Sequence, residues 1–488
     1  MERCILSQAA RTYLIVALLI GLLIGVGVGW LAKPAPTGVV PQSEYDALQE
    51  QLEDVTAERD SAIADRNAIQ AELSSTQDEL NDTLAVIEEM RIALVGVGAE
   101  APIESTITGK VQLGGLFSMS GRLATFGENE YVAASLAAEH VNAFLEAIGA
   151  QWTLEIVVED TEAKTDLALE AVESFAARGI KLLIGALSSA EIRAIKGYLD
   201  ANGMLTISQS STAPDLSIPD DSVFRFCPSD KAGQGPAIGR IMYDDGKRYA
   251  ITIASNDAWG VGLENASVTK FTQLGGVVLE RILYDPLKEE FSAEASLLAE
   301  RVSAAVDLYG EDEVCVLDIS FEEVNALFIA ASEYDVLSTV KWYGSDGTAG
   351  SAPMVEDPIV LDFTVKVGYP STIFAPTESA KWNMVRLNGI EVLGRAPESY
   401  SYAVYDIVWA YALSILKTDS TDPEVIKEAL PVAASSFFGS SGWIELDENG
   451  DRKAGDYDIW KIVETSPGTF EWDIIGKYIL ATDSVEWE

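Results

Sequence analysis

The chain has 488 residues, with 33 Lys or Arg against 77 Asp or Glu, and its formal net charge is −44. A surface this acidic repels a phosphate backbone, which excludes nucleic-acid binding. The single histidine, His140, and three widely separated cysteines argue against a Ser-His-Asp hydrolase, a His-based metal site and a disulfide framework.

The acidity has two interpretations. Excess carboxylate keeps a protein hydrated in saline surroundings, and it is also an ordinary property of a solvated extracellular surface.

The cysteines Cys4, Cys227 and Cys315 lack CxxC spacing, and we expect Cys227 and Cys315 to be buried small apolar groups.

The first predicted element is a membrane span at residues 13–32, a stretch without charged side chains. Such a helix is about 30 Å long, which matches the core of a bilayer. Arg3 and Arg11 precede it, so residues 1–12 are predicted to be cytoplasmic and the rest of the chain extracellular. The apolar stretch is longer than that of a signal peptide, which favours an uncleaved anchor over the alternative of a removed signal.

A Pro-containing linker at 33–42 leads into a heptad pattern over residues 43–94, where most a and d positions are apolar. This pattern predicts a coiled-coil stalk that supports a homodimer. Arg59 and Arg66 interrupt the apolar seam, so a solitary charged helix or one folded back on the globular part is the alternative.

From Gly109 onward, apolar strand patterns alternate with amphipathic helix patterns. This alternation predicts an α/β fold with parallel sheets flanked by helices. The predicted strands are 110–117, 153–159, 182–185, 205–208, 249–254, 276–283, 314–319 and 340–343. The predicted helices include 130–147, 166–178, 191–202 and 261–274.

Short polar sequences follow five of these strands, at 118–121, 188–189, 208–212, 256–257 and 345–347. The carboxyl ends of parallel strands are where such sheets bind ligands. Hydroxyls and backbone amides at helix N-termini suit a carboxylate, whereas Asp346 suits an ammonium group, so together they predict a zwitterionic ligand. Ordinary caps and turns are the alternative explanation of these residues.

From about Gly109 to Asp458 the chain resembles the type I periplasmic-binding-protein family, specifically the Leu/Ile/Val-type extracellular substrate-binding proteins of ABC transporters. The resemblance is carried by LFSMSG (116–121), FG (126–127), VED (158–160), IGALSS (184–189), ISQSSTAP (207–214), FR (224–225), SD (229–230), DAWG (257–260), GSDG (344–347), YD (405–406) and GSSGWIELDENGD (439–451).

This resemblance implies that residues 108–488 form a two-lobed clamp joined by three crossovers. It assigns 108–227 and 363–446 to one lobe, and 228–362 and 447–488 to the other.

The resemblance also implies the ligand-binding residues. Ser189, Thr212 and the backbone of Ser210 match positions that hold the amino-acid carboxylate. Asp346 matches the acidic residue that faces the ammonium group, and Phe126 matches an aromatic wall of the side-chain pocket. Trp259 stands where the family commonly has a tyrosine, and Ser320 or Phe321 falls near a second tyrosine.

The implied function is that of a membrane-anchored extracellular binding protein, without enzymatic activity, cofactor or metal. It captures an amino acid, branched-chain-like, and delivers it to an ABC permease with its ATPase subunits. The alternatives are a sensory receptor ectodomain, a binding protein for short amides or aromatic acids, and a coiled-coil spacer whose globular part binds nothing.

Overall fold

The computed structural model describes residues 105–453 and 455–487. The predicted cytoplasmic segment at 1–12, membrane span at 13–32, linker at 33–42 and stalk at 43–94 lie outside these residues and stay predictions. Within the described ranges, no helix has both the length and the apolar composition needed to cross a bilayer.

Strands and helices alternate along the described chain, as the sequence predicts. The strands are β1 (Gly109–Phe117), β2 (Trp152–Asp160), β3 (Leu182–Ile184), β4 (Leu205–Ser208), β5 (Val223–Arg225), β6 (Tyr249–Ser255), β7 (Val277–Tyr284), β8 (Val314–Ile319), β9 (Lys341–Tyr343), β10 (Ser371–Phe374), β11 (Phe438–Gly439), β12 (Gly442–Trp443), β13 (Tyr457–Ser466), β14 (Thr469–Ile479) and β15 (Ser484–Trp487). The helices are α1 (Ala124–Ala147), α2 (Thr165–Ala177), α3 (Ser189–Asn202), α4 (Gln234–Asp244), α5 (Ala258–Leu274), α6 (Ser292–Tyr309), α7 (Val324–Ala331), α8 (Pro353–Glu356), α9 (Pro358–Val367), α10 (Ala380–Leu393), α11 (Ser399–Thr418) and α12 (Pro423–Ser435).

Two parallel sheets of similar topology form the two lobes. Lobe 1 has the strand order β2-β1-β3-β4-β5, and lobe 2 has the order β7-β6-β8-β9. In lobe 1, α1, α11 and α12 pack on one side of the sheet, while α2 and α3 pack on the other. In lobe 2, α4 and α5 pack on one side of the sheet, and α6, α7 and α9 pack on the other. The predicted α/β class with parallel sheets flanked by helices is therefore confirmed.

Lobe 2 also contains antiparallel strands that the sequence analysis missed. A parallel bridge between Gly344 and Ser371 leads to a sheet with the order β10-β13-β14-β15. The pairings in this sheet are antiparallel. Their apolar residues lie after the last predicted strand at 340–343, where no strand was expected.

Two of the predicted lobe boundaries are wrong. The boundary between 362 and 363 falls inside α9, which packs on α7 of lobe 2. The boundary between 446 and 447 is too early, because Asp451 still pairs with Arg225 of lobe 1. The crossovers instead follow β5, β10 and Arg452, since β10 pairs with β13 in lobe 2.

The three crossovers lie side by side. The backbone amide of Ala375 donates to the carbonyl of Asp456 at 2.8 Å, which joins the second crossover to the third. The Arg452 guanidinium lies 4.5 Å from the centroid of the Phe374 ring and reaches the carbonyl oxygen of Phe226. The lobes are thus hinged along one short line, which suits closure by rotation.

A buried ion pair fixes the loop that follows β4. Arg225 Nε donates to Asp451 Oδ1 at 2.6 Å and its Nη2 to Asp451 Oδ2 at 2.5 Å, and the arginine is fully buried. Its Nη1 donates to the carbonyl oxygens of Ser211 and Ala213, both at 2.8 Å. The loop that carries Ser210 is therefore held by an arginine whose charge is neutralised at the third crossover.

We expect Asp451→Asn to lower the free energy of unfolding by about 3–5 kcal/mol, because removal of one partner leaves a buried charge uncompensated. Urea unfolding of the full chain in detergent micelles, followed by tryptophan fluorescence, measures this loss. Glu159→Gln in the exposed Arg178–Glu159 pair is the control and should change the midpoint little. An equally small effect of Asp451→Asn would contradict the structural role of the pair.

Candidate ligand-binding site

The candidate site lies between the lobes, at the carboxyl ends of both parallel sheets. In each sheet the chain order reverses between two central strands, β1 and β3 in lobe 1, and β6 and β8 in lobe 2. Such a reversal opens a crevice where ligands bind in doubly wound sheets. The segments after these four strands carry Leu123, Ser189, Trp259 and Phe321, which meet in one cavity.

The cavity is narrow. It measures about 280 Å³ including its opening to solvent. The lining residues are Leu123, Phe126, Leu187, Ser188, Ser189, Ser210 and Tyr400 of lobe 1 with Trp259, Phe321, Asp346 and Gly347 of lobe 2.

An aromatic residue followed by glycine stands in the first turn of a helix in each lobe. Phe126 precedes Gly127 in α1, and Trp259 precedes Gly260 in α5. A Cβ at Gly127 would lie 2.0 Å from the carbonyl oxygen of Ser118, and one at Gly260 would lie 2.1 Å from that of Ser255. The glycines therefore let each helix start against the end of its strand, which brings both rings into the cavity.

The lobe 1 wall presents hydroxyls and the amino end of α3. Ser188 caps this helix through a capping box with Glu191, which leaves Ser189 in the first turn. Ser189 Oγ accepts a hydrogen bond from the backbone amide of Ala213 at 3.1 Å, so its own proton is available to donate. The helix dipole makes this wall favourable for an anionic group.

The lobe 2 wall presents the Asp346 carboxylate, which follows β9. Tyr400 of lobe 1 donates its hydroxyl to Asp346 Oδ2 at 2.7 Å, so this bond crosses the cleft. Burial raises the pKa of Asp346 to about 6, against hydrogen bonds from Tyr400 and Gln234 that favour the charged form. The carboxylate would gain from a cation placed beside it.

A second buried carboxylate, Asp230, lies behind Asp346 at the start of the segment leading into α4. Burial and then the charge of Asp346 raise the pKa of Asp230 well above its ordinary value. The Thr212 hydroxyl and Arg225 act in the opposite direction, but Arg225 is already paired with Asp451. A ligand ammonium group would therefore interact favourably with both carboxylates.

The structure brings together most of the predicted site residues. Ser189, Ser210, Asp346, Trp259 and Phe126 all line the cavity. What each of them does to a ligand stays a prediction.

Thr212 and Ser320 do not line the cavity. Thr212 is buried behind it, and its backbone carbonyl accepts the amide of Asp230 at 2.9 Å. Ser320 points toward Asp318, to which its hydroxyl donates at 2.7 Å. Of the two residues that fall near the family's second tyrosine, Ser320 and Phe321, Phe321 lines the cavity.

Sequence reasoning missed Leu123, Leu187 and Tyr400 as cavity residues. Leu187 stands inside the matching stretch 184–189, and Leu123 lies between the stretches 116–121 and 126–127, so position alone could have suggested them. Tyr400 lies in α11, more than fifty residues after Asp346 in sequence, and reaches it only because the chain crosses back to lobe 1. No local pattern indicates that contact.

Several other noted residues have structural surroundings. His140 shares a hydrogen bond of 2.9 Å with the Tyr405 hydroxyl, and burial lowers its pKa. The Asp406 carboxylate accepts the backbone amides of Ser440 and Ser441 at 2.6 and 2.8 Å. Cys227 and Cys315 are free and buried, as expected, and burial raises the pKa of both thiols.

Comparison with known proteins gives a family and several relatives. Residues 129–465 match the model of the receptor family ligand binding region. An uncharacterized protein of Methanocaldococcus jannaschii is 31% identical over 396 residues, which cover 78% of this chain and 92% of that protein. The leucine-, isoleucine-, valine-, threonine-, and alanine-binding protein of Pseudomonas aeruginosa is 22% identical over 373 residues, which cover 76% of this chain and 93% of that protein.

A solved structure shares the fold. The crystal structure of a leucine binding protein of Thermotoga maritima matches with a TM-score of 0.61 and 20% identity. The match covers 78% of this chain and 97% of the other. At this identity the similarity shows the fold alone.

The buried carboxyl groups predict that the unliganded protein loses stability as the pH rises from about 5.5 to 7.5. Burial raises the pKa of Asp346 to about 6 and that of Asp318 and Glu322 to about 7. The folded state therefore binds more protons than the unfolded state above pH 4, and this stabilisation is lost as the pH rises through the folded-state pKa values. Thermal unfolding of the full chain in detergent micelles at 0.5 M salt, which screens general charge repulsion, measures the trend.

Asp318→Asn tests whether the Asp318 carboxyl contributes to this pH dependence of stability, because Asn cannot titrate. The difference in stability between pH 5.5 and 7.5 should shrink by about 1–2 kcal/mol. A melting temperature that rises with pH over this window in the parent chain would contradict the expectation.

Proposed function

Since the chain belongs to the family described as the receptor family ligand binding region, and is a type I periplasmic substrate-binding protein rather than an enzyme, we propose that it is the extracellular binding component of an ABC importer for an α-amino acid. The ligand is captured between the two lobes and passed to the permease, whose ATPase subunits drive import.

The observation that carries this proposal is the opposition of two charge-binding groups across the cleft. Asp346 of lobe 2 is buried and shares the cavity with Ser189, in the first turn of α3 in lobe 1. The amino end of a helix attracts a carboxylate, and a carboxylate attracts an ammonium group. An α-amino acid carries both charges on one carbon, so one small molecule can bridge the lobes.

The same charges disfavour two other ligand classes. An aromatic acid can place its carboxylate at the lobe 1 wall, but it has no ammonium group and leaves Asp346 without a cation. A short amide is neutral and leaves Asp346 and Asp230 buried without compensation. An α-amino acid satisfies both walls.

Contacts between the two lobes link capture of the ligand to closure of the lobes. The Tyr400 hydroxyl of lobe 1 donates to Asp346 of lobe 2, as described above. At the mouth of the cleft, Arg122 Nη1 of lobe 1 donates to the carbonyl oxygen of Pro286 of lobe 2 at 3.2 Å and lies 3.7 Å from Glu323 Oε1. These contacts exist when the lobes are together, which gives the permease a closed form to recognise.

We assign the N-terminal segments to tethering, on the sequence pattern alone. The proposed span at 13–32 keeps residues 1–12 in the cytoplasm and the binding domain at the outer face of the membrane. The proposed stalk at 43–94 is about 75 Å long as a continuous helix and gives the binding domain a radius in which to meet its transporter. A dimeric stalk raises the local concentration of a second binding domain.

Asp346→Asn removes the charge that faces the ammonium group and keeps the size of the side chain. We expect the affinity for the bound amino acid to fall at least about 30-fold, because truncating one partner of a buried charge pair costs about 2–5 kcal/mol. A thermal-shift screen of the twenty amino acids on the full chain in detergent micelles identifies the ligand, since saturation at 100 times Kd stabilises by about 2.7 kcal/mol. Isothermal titration calorimetry at pH 7.5 then compares the two proteins.

Asp318→Asn is the matched control, because Asp318 is a buried carboxylate of the same lobe that does not line the cavity. Its affinity should stay within about threefold of the parent value. The proposed function fails if no α-amino acid shifts the melting temperature, and the role of Asp346 fails if Asp346→Asn binds as tightly as the parent.

Deletion of residues 43–94 from the full chain should leave amino-acid affinity unchanged, because the proposed stalk spaces the binding domain and does not touch the ligand. Calorimetry on the full and the shortened chain, both in detergent micelles, compares the affinities. A loss of tenfold or more would mean that this segment packs on the clamp.

A further inference from the structure

Gly262 of lobe 2 stands directly against Pro214 of lobe 1. Gly262 lies in the second turn of α5, and a Cβ placed on it would lie 2.7 Å from Pro214 Cδ. The next nearest atoms among the described residues are Cγ and the backbone nitrogen of the same proline, at 3.6 and 3.8 Å. Packed carbon atoms lie about 3.5–4.0 Å apart, so a side chain at position 262 would collide with the opposite lobe.

The backbone of α5 does not itself call for glycine at this position. Gly262 does not have a positive φ, and it lies inside a helix, where glycine is less favourable than alanine. Gly260 differs, because it meets the carbonyl oxygen of Ser255 within its own lobe. What the glycine at 262 permits is therefore the approach of the other lobe.

Helix α5 is fixed within lobe 2 by close packing on α4. A Cβ at Gly235 of α4 would lie 2.3 Å from Cβ of Ala266, and one at Gly239 would lie 2.6 Å from the carbonyl oxygen of Ser267. Leu263 and Phe271 of α5 are also fully buried in the hydrophobic core. A shift of α5 alone would break this packing, so the helix moves with the rest of lobe 2.

Pro214 is fixed within lobe 1 through its neighbour Ala213. The carbonyl oxygen of Ala213 accepts a hydrogen bond from Arg225 Nη1 at 2.8 Å, and its amide donates to Ser189 Oγ at 3.1 Å. Arg225 is buried and paired with Asp451, as described above. Pro214 therefore moves with the rest of lobe 1.

We propose that Gly262 is a positioning residue that sets how closely the two lobes can approach. Since neither Pro214 nor α5 yields within its own lobe, a side chain at 262 is accommodated by rotation of the lobes about the three crossovers. Gly262 itself does not line the cavity, but its helix carries Trp259, and Pro214 follows the loop that carries Ser210. The contact thus determines how near these two cavity walls come to each other.

This inference deepens the proposed function, because closure is the step that captures the ligand. It does not depend on which amino acid is bound, since the contact between Gly262 and Pro214 lies outside the cavity. The experiment below accordingly measures the separation of the lobes and not the affinity for one ligand.

Spin labels at Glu170→Cys in α2 and Ser296→Cys in α6 report the separation of the lobes by double electron–electron resonance. Both positions are exposed, on helices that follow β2 and β7, the sheet edges farthest from the crossovers. Cys4→Ser removes one native thiol, while Cys227 and Cys315 are fully buried and escape labelling. The full chain is measured in detergent micelles before and after addition of a mixture of the twenty amino acids. Dilution with unlabelled chain suppresses distances between copies.

Gly262→Leu should abolish the short-distance population that the parent chain shows with the amino-acid mixture, because the added side chain meets Pro214 before the lobes close. Pro214→Ala removes Cγ and Cδ, the two carbon atoms nearest to position 262. Added to Gly262→Leu, it should restore part of the short-distance population. A general effect on folding would not be rescued by this second substitution.

Gly197→Leu is the matched control. Gly197 lies inside α3 of lobe 1, and a Cβ on it would have no neighbouring atom of the described residues within 4 Å. This variant should keep the parental distances. Leucine is a good helix former, so we expect both leucine variants to fold. If Gly262→Leu does not fold, Gly262→Ala adds the Cβ alone and should reduce the short-distance population.

The outcomes separate the two proposals. A folded Gly262→Leu variant with parental distances overturns the inference, and so does an equal loss of the short distance in Gly197→Leu or a failure of Pro214→Ala to restore any of it. A parent chain whose distances do not respond to the amino-acid mixture overturns the proposed function. In that case the inference stands if Gly262→Leu still lengthens the distances, and it falls if they stay the same.

Discussion

Two carboxylates, Asp346 and Asp230, are buried together, Asp346 at the cleft and Asp230 behind it. Burial of a carboxylate costs free energy, and this cost is the constraint on which the site depends. Burial raises the pKa of both, and the cation that acts on Asp230, Arg225, already neutralises Asp451. Interiors tolerate such carboxylates when another interaction compensates them. A cation placed in the cavity beside Asp346 would offset this cost.

The two lobes that surround these carboxylates share the same architecture. Each lobe has a doubly wound parallel sheet, a crevice where the strand order reverses, and an aromatic-glycine pair at the start of the helix that enters the crevice. The lobes contribute different chemistry to the same cavity, a helix N-terminus with hydroxyls from one and carboxylates from the other. The cavity is therefore lined by groups that favour an anion on one side and a cation on the other.

Much of this arrangement could be predicted from the sequence. The apolar strands and the polar residues at their ends are local features, and five of the seven chosen residues do line the cavity. The sequence could not decide between Ser320 and Phe321, because the direction of a side chain after β8 depends on how the strand ends. The lobe boundaries were misplaced because β10 and β13 pair across more than eighty residues, and no local pattern encodes that partnership.

The sequence by itself determined the α/β class, eight of the first nine strands in their order, with β5 not expected, and the charge types available for a ligand, because hydrophobic period and residue chemistry are properties of short segments. Tertiary structure alone decided that Tyr400 reaches Asp346 across the cleft, that Arg225 of β5 meets Asp451 near the end of the chain, and that Trp259 stacks on Phe321. Each of these contacts joins segments distant in sequence, and their distances follow from how the whole chain packs.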